Sequence, residues 1–121
     1  MSSREESRLR IAEVDGVIKV EFIDRNILDE ANIQAIGEEI ATIVDTNEAP
    51  KLLISFANVD HLSSAALGTL ITINNKVRAR EGQLRLSDID RQIYEVFVIT
   101  RLNQIFTISE TAEEAMASFA G

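Results

Sequence analysis

The chain has 121 residues, no cysteine, one histidine and a formal net charge of −8. Without thiols there are no disulfides or thiol chemistry, and a lone histidine leaves a zinc site short of ligands. The acidic surplus excludes nucleic-acid binding through a basic face and plain electrostatic docking on anionic lipid, and suits a partner with a basic surface. The apolar runs are far shorter than the ~20 residues of a membrane-spanning helix. Met1 to Glu6 lacks the apolar core of a signal peptide, so a cytoplasmic setting is expected.

Residues 1–7 are polar and expected to be loose. Leu9, Ile11 and Val14 alternate imperfectly with charged residues up to Asp15-Gly16, a two-residue turn signal. Residues 17–23 then place Ile18, Val20 and Phe22 on one face, which predicts a β-hairpin. Asp24-Arg25-Asn26 reads as a polar loop. Asp29 opens a helix with Ile33, Ile36, Ile40 and Ile43 as one stripe, ended by Thr46 to Pro50. Residues 51–56 form a short apolar run, read as a buried strand, followed by a loop from Ala57 to Leu62.

A second helix is predicted over 64–80, with Leu67, Leu70, Ile71, Ile73 and Val77 on its apolar side. Lys76, Arg78 and Arg80 sit at its negative dipole end, and Gly82 suits a left-handed cap. Residues 83–87 alternate as a strand. Asp88 can cap a helix over 89–102 that buries Ile93, Val96, Phe97 and Leu102. Residues 105–108 form a short strand. Ser109 or Thr111 then caps a last helix with Ala112, Ala115, Met116 and Phe119 on one face. The order ββαβαβαβα predicts one α/β domain over 1–121, a mixed, mostly parallel sheet packed with about four helices.

The stretch Val59 to Leu70 links the strand of 51–56 to the second helix. Ser63-Ser64 ahead of Ala65-Ala66-Leu67 reads as a helix start, because a hydroxyl there can accept a bond from an unpaired backbone N–H. Such a serine is either a plain cap or a functional group at an exposed helix end. Asp24, Asn26 and Asp29 should lie at the same end of the sheet, as part of a docking surface or as a solvated loop with Asp29 as cap. A nucleophilic triad on His61 lacks a third, orienting group in the pattern. There is no Gly-rich phosphate loop.

The element order and the segment Ser63-Ser64-Ala65-Ala66-Leu67-Gly68 resemble the STAS fold of the anti-sigma-factor antagonists. That family shows Asp-Ser-(Ser or Thr)-Gly-Leu-Gly at the start of a helix. Leu67-Gly68 matches, Ala66 stands for the glycine and Ser64 falls on the serine that a partner kinase phosphorylates. The family's aspartate falls on Ser63 and its second hydroxyl residue on Ala65, so the motif's carboxylate is missing. Matching pieces run from Leu9 to Phe119, including Glu81-Gly82-Gln83-Leu84.

The resemblance implies a non-catalytic switch. It would bind an anti-sigma factor with serine protein kinase activity and so release a sigma factor. Phosphorylation of Ser64, or alternatively Ser63, would turn it off, and a serine phosphatase would reverse it. Asp24, Asn26, Asp29, Ser63, Ser64, Ala65, Ala66 and Gly68 are the expected partner-binding residues. No cofactor, metal, direct nucleic acid or membrane partner is implied, and a monomer or weak dimer is expected. The alternative is a scaffold of the same fold, or a subunit of a larger signalling or lipid-transport assembly, in which the serine is only a cap.

Overall fold

The computed structural model describes residues 9–120, so the segment 1–7, expected to be loose, lies outside it. Asp15 and Gly16 both take positive φ (52° and 81°), the geometry that Asp-Gly favours in a two-residue hairpin turn. They join β1 (Leu9–Val14) antiparallel to β2 (Val17–Phe22). From β2 the sheet continues parallel through β4 (Lys51–Ser55), β6 (Gln83–Ser87) and β7 (Thr107–Ser109), in the order β1-β2-β4-β6-β7. Two further strands, β3 (Asn26–Ile27) and β5 (His61–Leu62), pair parallel outside this sheet. The helices are α1 (Glu30–Asp45), α2 (Ser64–Ala79), α3 (Arg91–Ile99) and α4 (Ala112–Ala120).

The central strand β4 is buried on both faces, which is why its sequence is an unbroken apolar run. Leu52 and Ile54 join the larger core with Ile33, Ile36 and Ile40 of α1, Leu67, Leu70 and Ile73 of α2, and Ile93 and Phe97 of α3. Leu53 faces the other way, where α4 covers it and Val17 with Ala115 and Phe119. Helices α1 and α2 are in tight contact at Gly37, where a Cβ would lie 2.8 Å from Thr69 Cγ2.

Several boundaries differ from the sequence reading, each for a local reason. The fourth buried residue of α1 is Val44, fully covered, while Ile43 is half-buried. Spacings of three, four and four from Ile33 keep Val44 over the core, and Ile43 turns aside. The left-handed residue after α2 is Glu81 (φ 60°), not Gly82. Gly82 is required instead because a Cβ would collide with the Pro50 carbonyl oxygen.

Asp88 (φ 58°) ends β6 rather than capping a helix. Its carboxylate accepts the hydroxyls of Ser55 (3.1 Å) and Ser87 (2.7 Å), two buried serines at the ends of β4 and β6. The cap of α3 is Asp90, which accepts from the Gln92 N–H. That helix stops at Ile99, left-handed Arg101 (φ 64°) follows, and Leu102–Gln104 form one 3-10 turn. Val96 is on the solvent side, 39% exposed. The last strand begins at Thr107, because Phe106 turns into the core beside Phe97. Ser109 belongs to that strand, and Thr111 caps α4 by accepting from the Glu114 N–H.

Candidate partner-docking and modification site

The site lies where the parallel strands end and the helices begin. Beyond β4, the Phe56 N–H donates to the Ser87 carbonyl and the Val59 N–H to the Phe56 carbonyl, which turns the chain sharply. The Asp60 and His61 N–H groups both donate to the Arg25 carbonyl (2.7 and 3.2 Å), and Asn26 and Ile27 then pair with His61 and Leu62. One step further, the Ser63 N–H donates to the Ile27 carbonyl at 3.1 Å. The loop carrying Asp24, Asn26 and Asp29 is thereby held along the entrance to α2, as the topology predicts.

At that entrance the two serines take different positions. Ser63 has extended backbone (φ −83°, ψ 165°), and its Oγ accepts from the Ala66 N–H at 3.3 Å. It is half-buried and serves as the N-cap. Ser64 is the first helical residue and is exposed, and no hydrogen bond to its hydroxyl is found among the described residues. Ala65 is exposed, whereas Ala66 and Leu67 point into the core. Gly68 stands one turn after Ser64 on the same face, exposed, with nothing within 4 Å of where a Cβ would be. A glycine inside a helix costs about 1 kcal/mol relative to alanine, and here packing among the described residues does not require it.

The surrounding charge is mostly negative. Asp29 caps α1 by accepting from the Asn32 N–H (3.1 Å), and Asp24 accepts from the Asn32 side-chain amide (3.4 Å). Asp60 pairs with Arg25 at 2.9 Å, with both side chains largely in solvent. Asn26 is exposed. The first turn of α2 carries no acidic residue, so its positive dipole end faces outward beside Ser64. His61 is exposed in β5, and no hydrogen bond joins it to either serine among the described residues. Beneath the site, a void of about 10 Å3 between α1 and α2 is too small for any ligand beyond a single water.

A family model for the STAS domain matches residues 8–115. The chain belongs to the STAS domain family. This STAS domain is 26% identical, over 112 residues, to BtrV of Bordetella bronchiseptica, which is assigned as an anti-sigma factor antagonist; the match covers 93% of this chain and 94% of BtrV. Its fold is similar to that of an anti-sigma-factor antagonist (STAS) domain protein from Planctomyces limnophilus. The TM-score is 0.86 at 18% identity, covering 95% of this chain and 100% of the other. It is also similar to the Bacillus cell fate determinant SpoIIAA in the phosphorylated form, with a TM-score of 0.69 at 16% identity over 92% of this chain and 98% of that one. At these identities the structural likeness is one of fold.

The STAS architecture places Asp24, Asn26, Asp29, Ser63, Ser64, Ala65 and Gly68 at one end of the sheet, whereas Ala66, also expected to meet a partner, is buried in the core. Two features of the same end were not anticipated. One is the Arg25–Asp60 pair, which joins positions 35 residues apart and leaves no sequence pattern. The other is Leu28, which is 55% exposed between buried Ile27 and the cap Asp29. A large apolar residue directly before a helix cap was the available signal for it.

Proposed function

We propose that this STAS domain is an anti-sigma factor antagonist of the cytoplasm. Unphosphorylated, it binds an anti-sigma factor that is also a serine kinase, and the sigma factor is released. Phosphorylation of Ser64 ends the interaction, and a serine phosphatase restores it. The observation that carries this reading is the split between the serines: Ser63 Oγ is engaged as the cap, and Ser64 Oγ is exposed at the helix start. This supports Ser64 over Ser63 as the phosphoacceptor.

A phosphoryl group brings about −1.5 to −2 charge and three strong acceptor oxygens. The α2 N-terminus, with its unpaired N–H groups and no acidic first turn, tolerates that charge, so the fold persists. The effect falls on the complex. A partner surface shaped for a neutral hydroxyl and a missing Cβ at Gly68 would have to bury a dianion. An uncompensated buried charge costs several kcal/mol, a large share of the roughly 8 kcal/mol in a micromolar complex. The missing motif aspartate does not prevent this, since Ser63 supplies the cap. The phosphorylated form of SpoIIAA shares the fold and supports the same reading.

Incubation with the kinase and ATP, followed by peptide mass spectrometry, is expected to place the phosphate on Ser64 and to find none on Ser64→Ala. Ser64→Asp is expected to lose binding to the kinase. Normal binding by Ser64→Asp, or no modification of Ser64, would sink the switch.

A further inference from the structure

Leu28 lies one register step beyond the Ile27–Leu62 pair, beside Ser63, with more than half its side chain in solvent. Ile23, at the other end of the same loop, is 48% exposed. Around them stand Asp24, Asp29, Glu30 and Asp60, and the nearby cation, Arg25, is already held by Asp60. From Ser64 through Ala65 and Gly68 to Thr72, the exposed face of α2 is small and uncharged. An apolar centre with a charged rim is the anatomy of a protein interface, and the depleted charge on α2 fits its core. Gly68 adds an independent indication, because its missing Cβ leaves clearance that none of the described residues fills.

We propose that Leu28 is the apolar anchor of this docking surface. Its occupant is a protein that receives Leu28 in an apolar recess edged by lysine or arginine and brings its backbone close over Gly68. The inference rests on the switch reading above and adds to it the residue that holds the partner and the partner's surface chemistry. Basic groups are required opposite because, among the described residues, Asp29, Glu30 and Asp60 make this rim negative and Arg25 beside them is already held by Asp60.

The test measures equilibrium binding of the kinase that phosphorylates the wild-type chain, using full-length Leu28→Ala, Gly68→Ala and Ile99→Ala variants, each checked by thermal unfolding. Leu28→Ala is expected to weaken binding about tenfold or more, the loss typical of a buried anchor. Ile99→Ala, although Ile99 is 78% exposed, is expected to leave binding unchanged because it lies at the far end of α3. Gly68→Ala is expected to raise the melting temperature and still weaken binding, an outcome that a structural role for the glycine does not produce. Raising the salt concentration is expected to weaken the wild-type complex. Binding of Leu28→Ala within twofold of wild type, equal losses for Leu28→Ala and Ile99→Ala, or insensitivity to salt overturns this inference and leaves the switch standing. Failure of the wild-type chain to bind any serine kinase overturns both.

Discussion

Removing the Ser63 hydroxyl takes away one of the two acceptors of the Ala66 N–H, the other being the Ser63 carbonyl at 3.1 Å. Ser63→Ala is therefore expected to lower stability by about 1 kcal/mol, read as a shift in denaturation midpoint. Ser63→Asp keeps a capping oxygen, restores the motif's carboxylate and is expected to hold wild-type stability. Ser64→Ala, by contrast, is expected to change stability by less than about 0.5 kcal/mol, since no bond to its hydroxyl is lost. Both serines were legible in the sequence as a helix start, but the physical cause of their division of roles was not. That division depends on which residue keeps extended backbone, and the bond from Ser63 to the Ile27 carbonyl sets that from 36 residues away. Gly82 shows the same limit. Gly82→Ala is expected to cost about 2 kcal/mol, because the obstacle is the rigid Pro50 carbonyl rather than a movable side chain.

At the scale of elements, the hairpin, the three crossover helices and the final helix were legible, because each has a strong apolar period or a turn signal. The pair β3 and β5 was not, since two residues are too few to show alternation. The start of α3 was misplaced because Asp88 and Asp90 are chemically alike. Only the tertiary bond from Ser55, beside the local one from Ser87, assigns Asp88 to the strand ends. At that left-handed position Asp88→Asn is expected to be tolerated, while Asp88→Ala loses both bonds and adds backbone strain. The α1–α2 contact gives a coupled test. Gly37→Ala improves helix propensity but meets the Thr69 methyl, so alone it is expected to yield little or lose stability. Combined with Thr69→Ser, which keeps the hydroxyl bond to the Ala65 carbonyl and removes the methyl, it is expected to exceed wild type by up to about 1 kcal/mol. Additive denaturation midpoints would show that the two helices are not in contact there.

For the whole molecule, the arrangement of charge follows from the topology. Every crossover helix starts at the carboxyl ends of the parallel strands, and Asp29 with Glu30 and Asp90 favour the dipoles of α1 and α3, while α2 starts on uncharged serines. Light scattering on the purified chain is expected to give a monomer or weak dimer; a large obligate assembly would favour a scaffold over a switch. At the opposite end of the strands Lys51, Lys76, Arg78 and Arg80 are balanced by Asp15, Asp45, Glu48 and Glu81, with Lys76 and Asp45 paired at 3.5 Å. Negative charge is thus concentrated at the Ser64 end, and the two ends are electrically unequal. In the field of a cationic partner the chain feels a torque before contact and arrives with Ser64 leading. A phosphate on Ser64 would add to that asymmetry and speed the approach. Stopped-flow measurements are therefore expected to show that Ser64→Asp associates at least as fast as wild type and fails by dissociating sooner.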